Sequence, residues 1–329
     1  MKVEIYDLLG RELTINPTKR PFRFNGEVEG FARTNWLEKR AKWNDAIVPA
    51  GKSIVYTRDG GVTISADVSN YSQHLGAIES IREGKDFAPK RGVNGLGVTC
   101  YVVSSDDKII LKRRPRNNPH APSFYDSIGG GWMTSANIVG LNKLCTDMTL
   151  GMAEALYEPL WQAESEYEEE SHLKPVSFEL DNKPSFICRG LNDGLNLGIS
   201  YIGKATVKAD DIIDAIQGYD RKGEVIEHER AFVAVDISNL AKLLETQAEL
   251  QKIPREELRD YVVNPDGTDA PMVDEYFGGF WAAYKKLTGR PLPQSLSLDS
   301  LAKQGIEIDL FPRDGENLKD VEYSFFVNE

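Results

Sequence analysis

Three cysteines, four histidines and a shortage of positive charge set the first limits on this 329-residue chain. Cys100, Cys145 and Cys188 are odd in number and widely spaced, so they form neither a disulfide framework nor a CxxC metal site. Packing is the role that suits them, and a reducing cytoplasm is the expected setting. His74, His120, His172 and His228 include no pair at a zinc-ligand spacing. No Gly-x-Ser-x-Gly elbow occurs, and no dinucleotide fingerprint follows a strand. Apolar runs all fall short of the roughly 18 residues that a membrane span needs, so no membrane partner is expected. The opening Met-Lys-Val-Glu-Ile-Tyr-Asp carries no apolar signal region. Lys and Arg together number 39 against 51 Asp and Glu, a net charge of −12, which disfavours a duplex nucleic acid partner. Small anions stay open as substrates where cations are locally concentrated.

A 41% hydrophobic, 27% charged composition can build one large globular domain or two ordinary ones. The texture divides the chain into an N-terminal α+β region over 1–90, a central α+β part over 91–250, and a helical extension with a tail over 251–329. In the first part, 2–8, 53–57 and 61–66 read as strands, and 36–43 and 71–83 as helices. In the second, Gly95–Ser104 and Ile109–Arg114 flank the polar turn Ser105–Lys108 and read as a hairpin. Prolines break Pro115–Pro122, and Ser123–Ile128 then leads into Gly129-Gly130-Gly131. Strands follow at 176–180, 197–207 and 231–236, with helices at 209–217 and 238–251. In the third part, 273–287 is a helix whose Tyr276, Phe277, Phe280, Trp281 and Tyr284 suit a core or an interface, for example of a homodimer. Residues 321–327 read as β.

The chemistry concentrates in Ser165-Glu166-Tyr167-Glu168-Glu169-Glu170-Ser171-His172-Leu173. Glu166, Glu169 and Glu170 stand at i, i+3 and i+4, which gathers three carboxylates on one face of a helix expected over Glu154–His172. Such carboxylates repel unless a cation sits among them, and Mg²⁺ or Mn²⁺ prefers oxygen ligands of this kind. The plainer reading is the wet face of a surface helix, with Glu154, Glu158, Glu166 and Glu170 as its polar stripe. Lys112, Arg113, Arg114 and Arg116, beside the glycines, form either a phosphate clamp or a solubilising strand end. His172 suits the end of the acidic helix, near the negative pole of its dipole.

Taken in order, the hairpin, the glycines and the acidic helix resemble the Nudix hydrolase family. Its box is G-x5-E-x7-R-E-U-x-E-E-x-G-U, where U is apolar. Glu166, Glu169 and Glu170 match the box glutamates that bind metal in the family, and Tyr167 and Leu173 take the apolar positions. Ser165 stands at the box arginine and His172 at the box glycine. Tyr157, with Glu158 beside it, stands at the first glutamate. Gly151 fits the first glycine by count. Gly130 or Gly131 fits it by context, with an insertion from Met133 to about Met152. Glu224–Asp236 resembles the family's late acidic segment and the strand after it.

The resemblance, over roughly residues 93–250, implies an α+β fold with a Nudix-like mixed sheet between helices. It implies a metal site of Glu166, Glu169 and Glu170, and a base drawn from Glu170, Glu229 or Glu227. Arg113, Arg114, Arg116, Gly130 and Gly131 would hold the substrate. The implied activity is Mg²⁺-dependent cleavage of a diphosphate linkage in a nucleoside diphosphate derivative or related small molecule. The alternative is a non-catalytic Nudix-like module that binds a nucleotide.

Overall fold

The computed structural model describes residues 3–8, 10–21, 30–34, 47–57, 60–82, 94–114, 124–133, 158–190, 197–220, 232–250, 272, 274–290 and 307–309. The expected helix at 36–43 and strand at 321–327 lie outside them. The elements are β1 (Val3–Asp7), β2 (Leu13–Pro21), β3 (Ile47–Tyr56), β4 (Val62–Asn70), α1 (Tyr71–Arg82), β5 (Leu96–Val103), β6 (Lys108–Arg113), β7 (Tyr125–Ser127) and β8 (Gly130–Trp132). They continue with α2 (Pro159–Ser171), β9 (Phe178–Leu180), β10 (Phe186–Gly190), β11 (Leu197–Ala205), α3 (Ala209–Asp220), β12 (Phe232–Asp236), α4 (Ile237–Leu250), α5 (Asp274–Thr288) and β13 (Glu307–Asp309). A 3-10 turn, Pro175–Ser177, takes the start of the strand expected at 176–180. Pro175 has no N–H to give to a ladder, so pairing begins only at Phe178.

The fold is α+β. A mixed nine-stranded sheet runs β1-β10-β11-β5-β6-β12, with β7 on β6, β8 on β5 and β9 on β11. Its central β5 and β11 are parallel, in register from Leu197↔Leu96 to Lys204↔Val103. Both strands are almost wholly buried, which is what a central strand covered on two faces requires. Side-chain alternation divides β5 between two cores. Leu96, Val98, Cys100 and Val102 pack with Ala163 and Tyr167 of α2 and with Ile212 and Ile216 of α3. Tyr101 and Val103 pack with Leu240 and Leu244 of α4 and with Phe277 and Phe280 of α5. The sheet therefore lies between two helical layers.

A four-stranded sheet, β13-β3-β4-β2, adds Ile54, Tyr56, Val62 and Ile64 to the first of these cores. Two pairings tie the expected parts 1–90, 91–250 and 251–329 to one another. β1 pairs with β10, and β13 pairs with β3. Neither was visible along the chain, because β-type runs carry no mark of their partner.

The aromatic stretch of α5 is core: Tyr276, Phe277, Phe280, Trp281 and Tyr284 are all buried. Tyr101 meets Phe280 edge to face, with centroids 4.9 Å apart. Gly279 lets α5 lie this close, since a Cβ there would overlap the Tyr101 hydroxyl. Gly279→Ala should therefore destabilise the protein by about 1–3 kcal/mol through overpacking, and not stabilise it as the gain in helix propensity alone would. Urea unfolding monitored by tryptophan fluorescence measures this, and a shared Gly279→Ala/Tyr101→Ala background should recover part of the loss.

Candidate functional site

Helix α2 begins at Pro159, not at Glu154. Glu158 is its N-cap, extended at φ −115°, and Pro159 opens the helix. Proline forces the preceding residue away from helical angles while fitting the first helical position itself. Residues 154–157 lie outside the described part. At the other end His172 adopts a left-handed conformation, φ 53°, and its N–H returns to the Glu168 carbonyl at 2.9 Å. The box resemblance has glycine here for the same backbone need; an L-residue meets it at a cost of roughly 1–2 kcal/mol.

Gln162, Ala163, Tyr167 and Ser171 form the buried line of α2. Tyr167 packs on Phe178, centroids 4.7 Å apart, and lies against Gly129, which turns at φ +79°. Going round the helix from Tyr167, Glu170 comes first, then Glu166, and Glu169 lies almost opposite. Glu166 and Glu170 accordingly turn toward the glycines, whereas Glu169 is exposed. The expectation of a solvent-facing glutamate face is corrected for Glu170, whose side chain is only 10% accessible.

Gly130 and Gly131 do not form a loop; they are strand β8, with Gly131 opposite Val98 and Gly130 opposite Thr99. A Cβ on Gly131 would strike the Glu166 carboxylate, so this glycine makes the room that Glu166 occupies. Glu170 is held on both oxygens. Its Oε2 accepts the N–H of Gly129 and, at 3.3 Å, that of Gly130. Its Oε1 accepts from Lys112 Nζ. Lys112 belongs to β6, where it stands opposite Asp126 of β7, with Nζ 3.7 Å from Asp126 Oδ1. Asp126 Oδ2 accepts from Arg114 Nε at 2.6 Å, and the Arg114 guanidinium lies over the Tyr276 ring at 5.6 Å.

Two members of the expected phosphate clamp are thus neutralised by the protein itself. Lys112 is buried against Glu170 and Asp126, and Arg114 is drawn into the ion pair with Asp126. Arg113 is half-buried at the end of β6. Arg116, Glu227 and Glu229 lie outside the described residues. Asp126 was missed along the chain. Its signal was an acid set between Phe124-Tyr125 and Ile128, because a lone charge in an apolar strand needs a buried partner.

Lys112 stays charged: burial pulls its pKa down, but Asp126 and Glu170 outweigh that and raise it. Burial raises the Glu166 carboxyl to about 7, helped by the charge of Glu170, against a 2.6 Å hydrogen bond from Gln162. Cys100 also neighbours the cluster, but burial pushes its thiol well up and its Sγ donates to the Ala163 carbonyl at 3.3 Å. It is a packing residue, as expected.

This donor set fits a hard divalent cation in kind. It is all oxygen, and Gly131 leaves room for it, while burial and then the charge of Glu170 hold the Glu166 carboxyl up. Among the described residues no three His, Cys, Asp or Glu side chains stand close enough together to hold a metal ion, because Glu169 faces away. No family model and no curated protein matches the chain.

The raised pKa has a consequence for stability. A folded-state value of about 7 against an ordinary 4.5 means that the folded protein binds this proton more tightly than the unfolded chain does. Its stabilising effect is complete below pH 4.5 and is lost as pH rises through 7. With chelator present, Glu166→Gln should flatten this fall and leave the variant about 2 kcal/mol more stable than the parent above that range. Urea unfolding at pH 5 and pH 8 checks it; an equal pH slope in both proteins would refute the assignment.

Proposed function

We propose that this chain is a Mg²⁺- or Mn²⁺-dependent hydrolase of a diphosphate linkage, built on a Nudix-like sheet. One observation carries the reading: Glu166 and Glu170, one turn apart on α2, both reach the glycine strand that precedes the helix in sequence. The substrate is a nucleoside diphosphate derivative or a related small molecule, and a reducing cytoplasm suits the buried free thiols of Cys100 and Cys188. No helix among the described residues is long and apolar enough to cross a membrane.

Of the three expected ligands only Glu166 and Glu170 face the glycine strand; they would hold the ion, which would supply neutralisation of a diphosphate and acidification of a bound water. The chain's own residues then have distinct tasks. Gln162 fixes the Glu166 carboxylate, and Gly131 keeps clear the space around it. Gly129 and Gly130 aim Glu170 through their N–H groups. Glu170 and Glu229 are the candidates for the base. Arg113 and Arg116 are the cations proposed for the substrate; Arg114 would assist only by sharing its hold on Asp126.

A second reading, a non-catalytic module that binds a diphosphate, draws on one observation. Lys112 already occupies Glu170, which in a working metal site must face the ion.

Turnover of a panel of nucleoside diphosphate derivatives with and without Mg²⁺ separates the two. In the enzyme, Glu170→Gln should lower kcat by about 100-fold or more, as loss of a ligand or base does. Ser165→Arg, which restores the box residue, should leave activity equal or higher. Binding of a nucleotide that raises Tm, with no hydrolysis of any panel member by either protein, would establish the second reading.

A further inference from the structure

Helix α1 carries a buried histidine, His74, at the place where the two sheets meet. We propose that His74 is an acid-sensitive latch: as a neutral ring it holds the four-stranded sheet against Trp132 of the glycine strand β8, and protonation at Nδ1 releases that contact.

The chain turns from β4 into α1 at Asn70, whose N–H donates to Gln73 Oε1 at 3.0 Å, and His74 then lies back over the strand it follows. Its Nε2 is 2.7 Å from the hydroxyl of Ser69 on β4. That hydroxyl donates its single proton to the Val48 carbonyl of β3 at 3.0 Å. Ser69 can therefore only accept from the histidine, which places the imidazole proton on Nε2 and leaves Nδ1 bare. The bare edge faces the large sheet. A Cβ on Gly95 would overlap Nδ1 and Cε1 of His74 and the Trp132 indole at once, so the missing side chain is what lets the two rings meet. Their centroids are 4.8 Å apart, and Tyr71 of α1 meets the same indole edge-on at 6.0 Å. Backbone contacts close the junction around them: Ala50 of β3 bridges to Gly95, and the Gly51 N–H reaches the Asn94 carbonyl at 2.8 Å.

A further proton has to enter at Nδ1, between Gly95 and the indole, where no described residue offers it an acceptor. A buried cation without a partner is costly, and opening the junction to water relieves it. The ionisable groups on the elements packed here do not. Asp67 of β4 takes the Thr18 hydroxyl, and Arg189 of β10 donates to Asn94 at 3.0 Å. Tyr71 lies against the indole, and Lys52 of β3 and Arg33 are exposed. Burial alone accordingly holds the imidazole down, at about 3 against an ordinary 6.5. The folded protein thus binds this proton less tightly than the open form does. The latch is at full strength above pH 6.5 and weakens as pH falls from 6.5 toward 3, by about tenfold in the opening equilibrium per pH unit. Trp132 follows Gly131 directly, so opening also frees the end of the glycine strand. The latch makes no use of the acidic cluster, and it operates under either reading of that site.

Amide hydrogen exchange of the full chain, expressed as protection factors, reads the junction at two N–H groups: Gly51, bonded to Asn94, and Met133, bonded to Leu96. Between pH 6.5 and pH 5.0 their protection should fall by about 30-fold in the unmutated protein, as uptake of one proton on opening requires. His74→Gln keeps an N–H for Ser69 and cannot titrate, so its protection should stay within about threefold over the same range. No fall in the unmutated protein, or an equal fall in both, overturns the proposal. Should His74→Gln fail to fold, ¹⁵N NMR of the histidine rings in the unmutated chain decides. The latch requires that His74 keep its Nε2–H tautomer down to pH 5 while the two amides lose protection. An imidazole that titrates near its ordinary 6.5 while those amides stay protected overturns it.

Discussion

Among the described residues a buried ammonium, Lys112 Nζ, joins the acidic helix to the sheet. It lies between a glutamate from helix α2 and an aspartate from strand β7. Removing one member of a buried ion pair leaves an uncompensated charge, which typically costs about 3–5 kcal/mol. The position of Glu170 beside the glycine strand goes with that pairing. Arg114 extends it: its ion pair with Asp126 and its place over the Tyr276 ring connect the acidic helix on one face of the sheet to the aromatic helix on the other.

Around this polar centre the apolar architecture is conventional in its physics. The parallel pair β5–β11 is buried on both sides, and alternate side chains of β5 serve two separate cores. Close approach is bought by glycine at two places: Gly279 admits Tyr101 beneath α5, and Gly131 admits the carboxylate of Glu166. The first serves packing alone. The second leaves oxygen atoms in a confined space next to backbone N–H groups, which is where binding chemistry becomes feasible.

Much of the secondary structure could be read along the chain. The hairpin around Ser105–Lys108, strands β11 and β12, and helices α1, α3, α4 and α5 fall close to where periodicity and turn residues put them. Local signals decide such elements. The N-terminus of α2 was set too early because the glutamate stripe extends through Glu154, whereas Pro159 overrules the stripe. The site was only half legible. Spacing correctly brought Glu166 and Glu170 to one side of a helix, but it could not show that Glu169 faces away. That depends on which line of α2 is buried, and Tyr167 packing on Phe178 and Gly129 decides it.

By itself, then, the sequence determined the kinds of element, their order, and the stock of carboxylates and cations beside the glycines, because these follow from residue type and from spacings of a few positions. Tertiary structure alone decided what those charges do. Lys112 and Arg114 read equally well as a surface clamp until the β6–β7 register set Lys112 opposite Asp126 and the packing of α2 lowered Glu170 onto Lys112. These partners are separated by 14 and 58 residues in the chain. No local pattern encodes such pairings. They arise when burial removes the water that would otherwise solvate each charge, and every charge must then find the partner that the fold brings within reach.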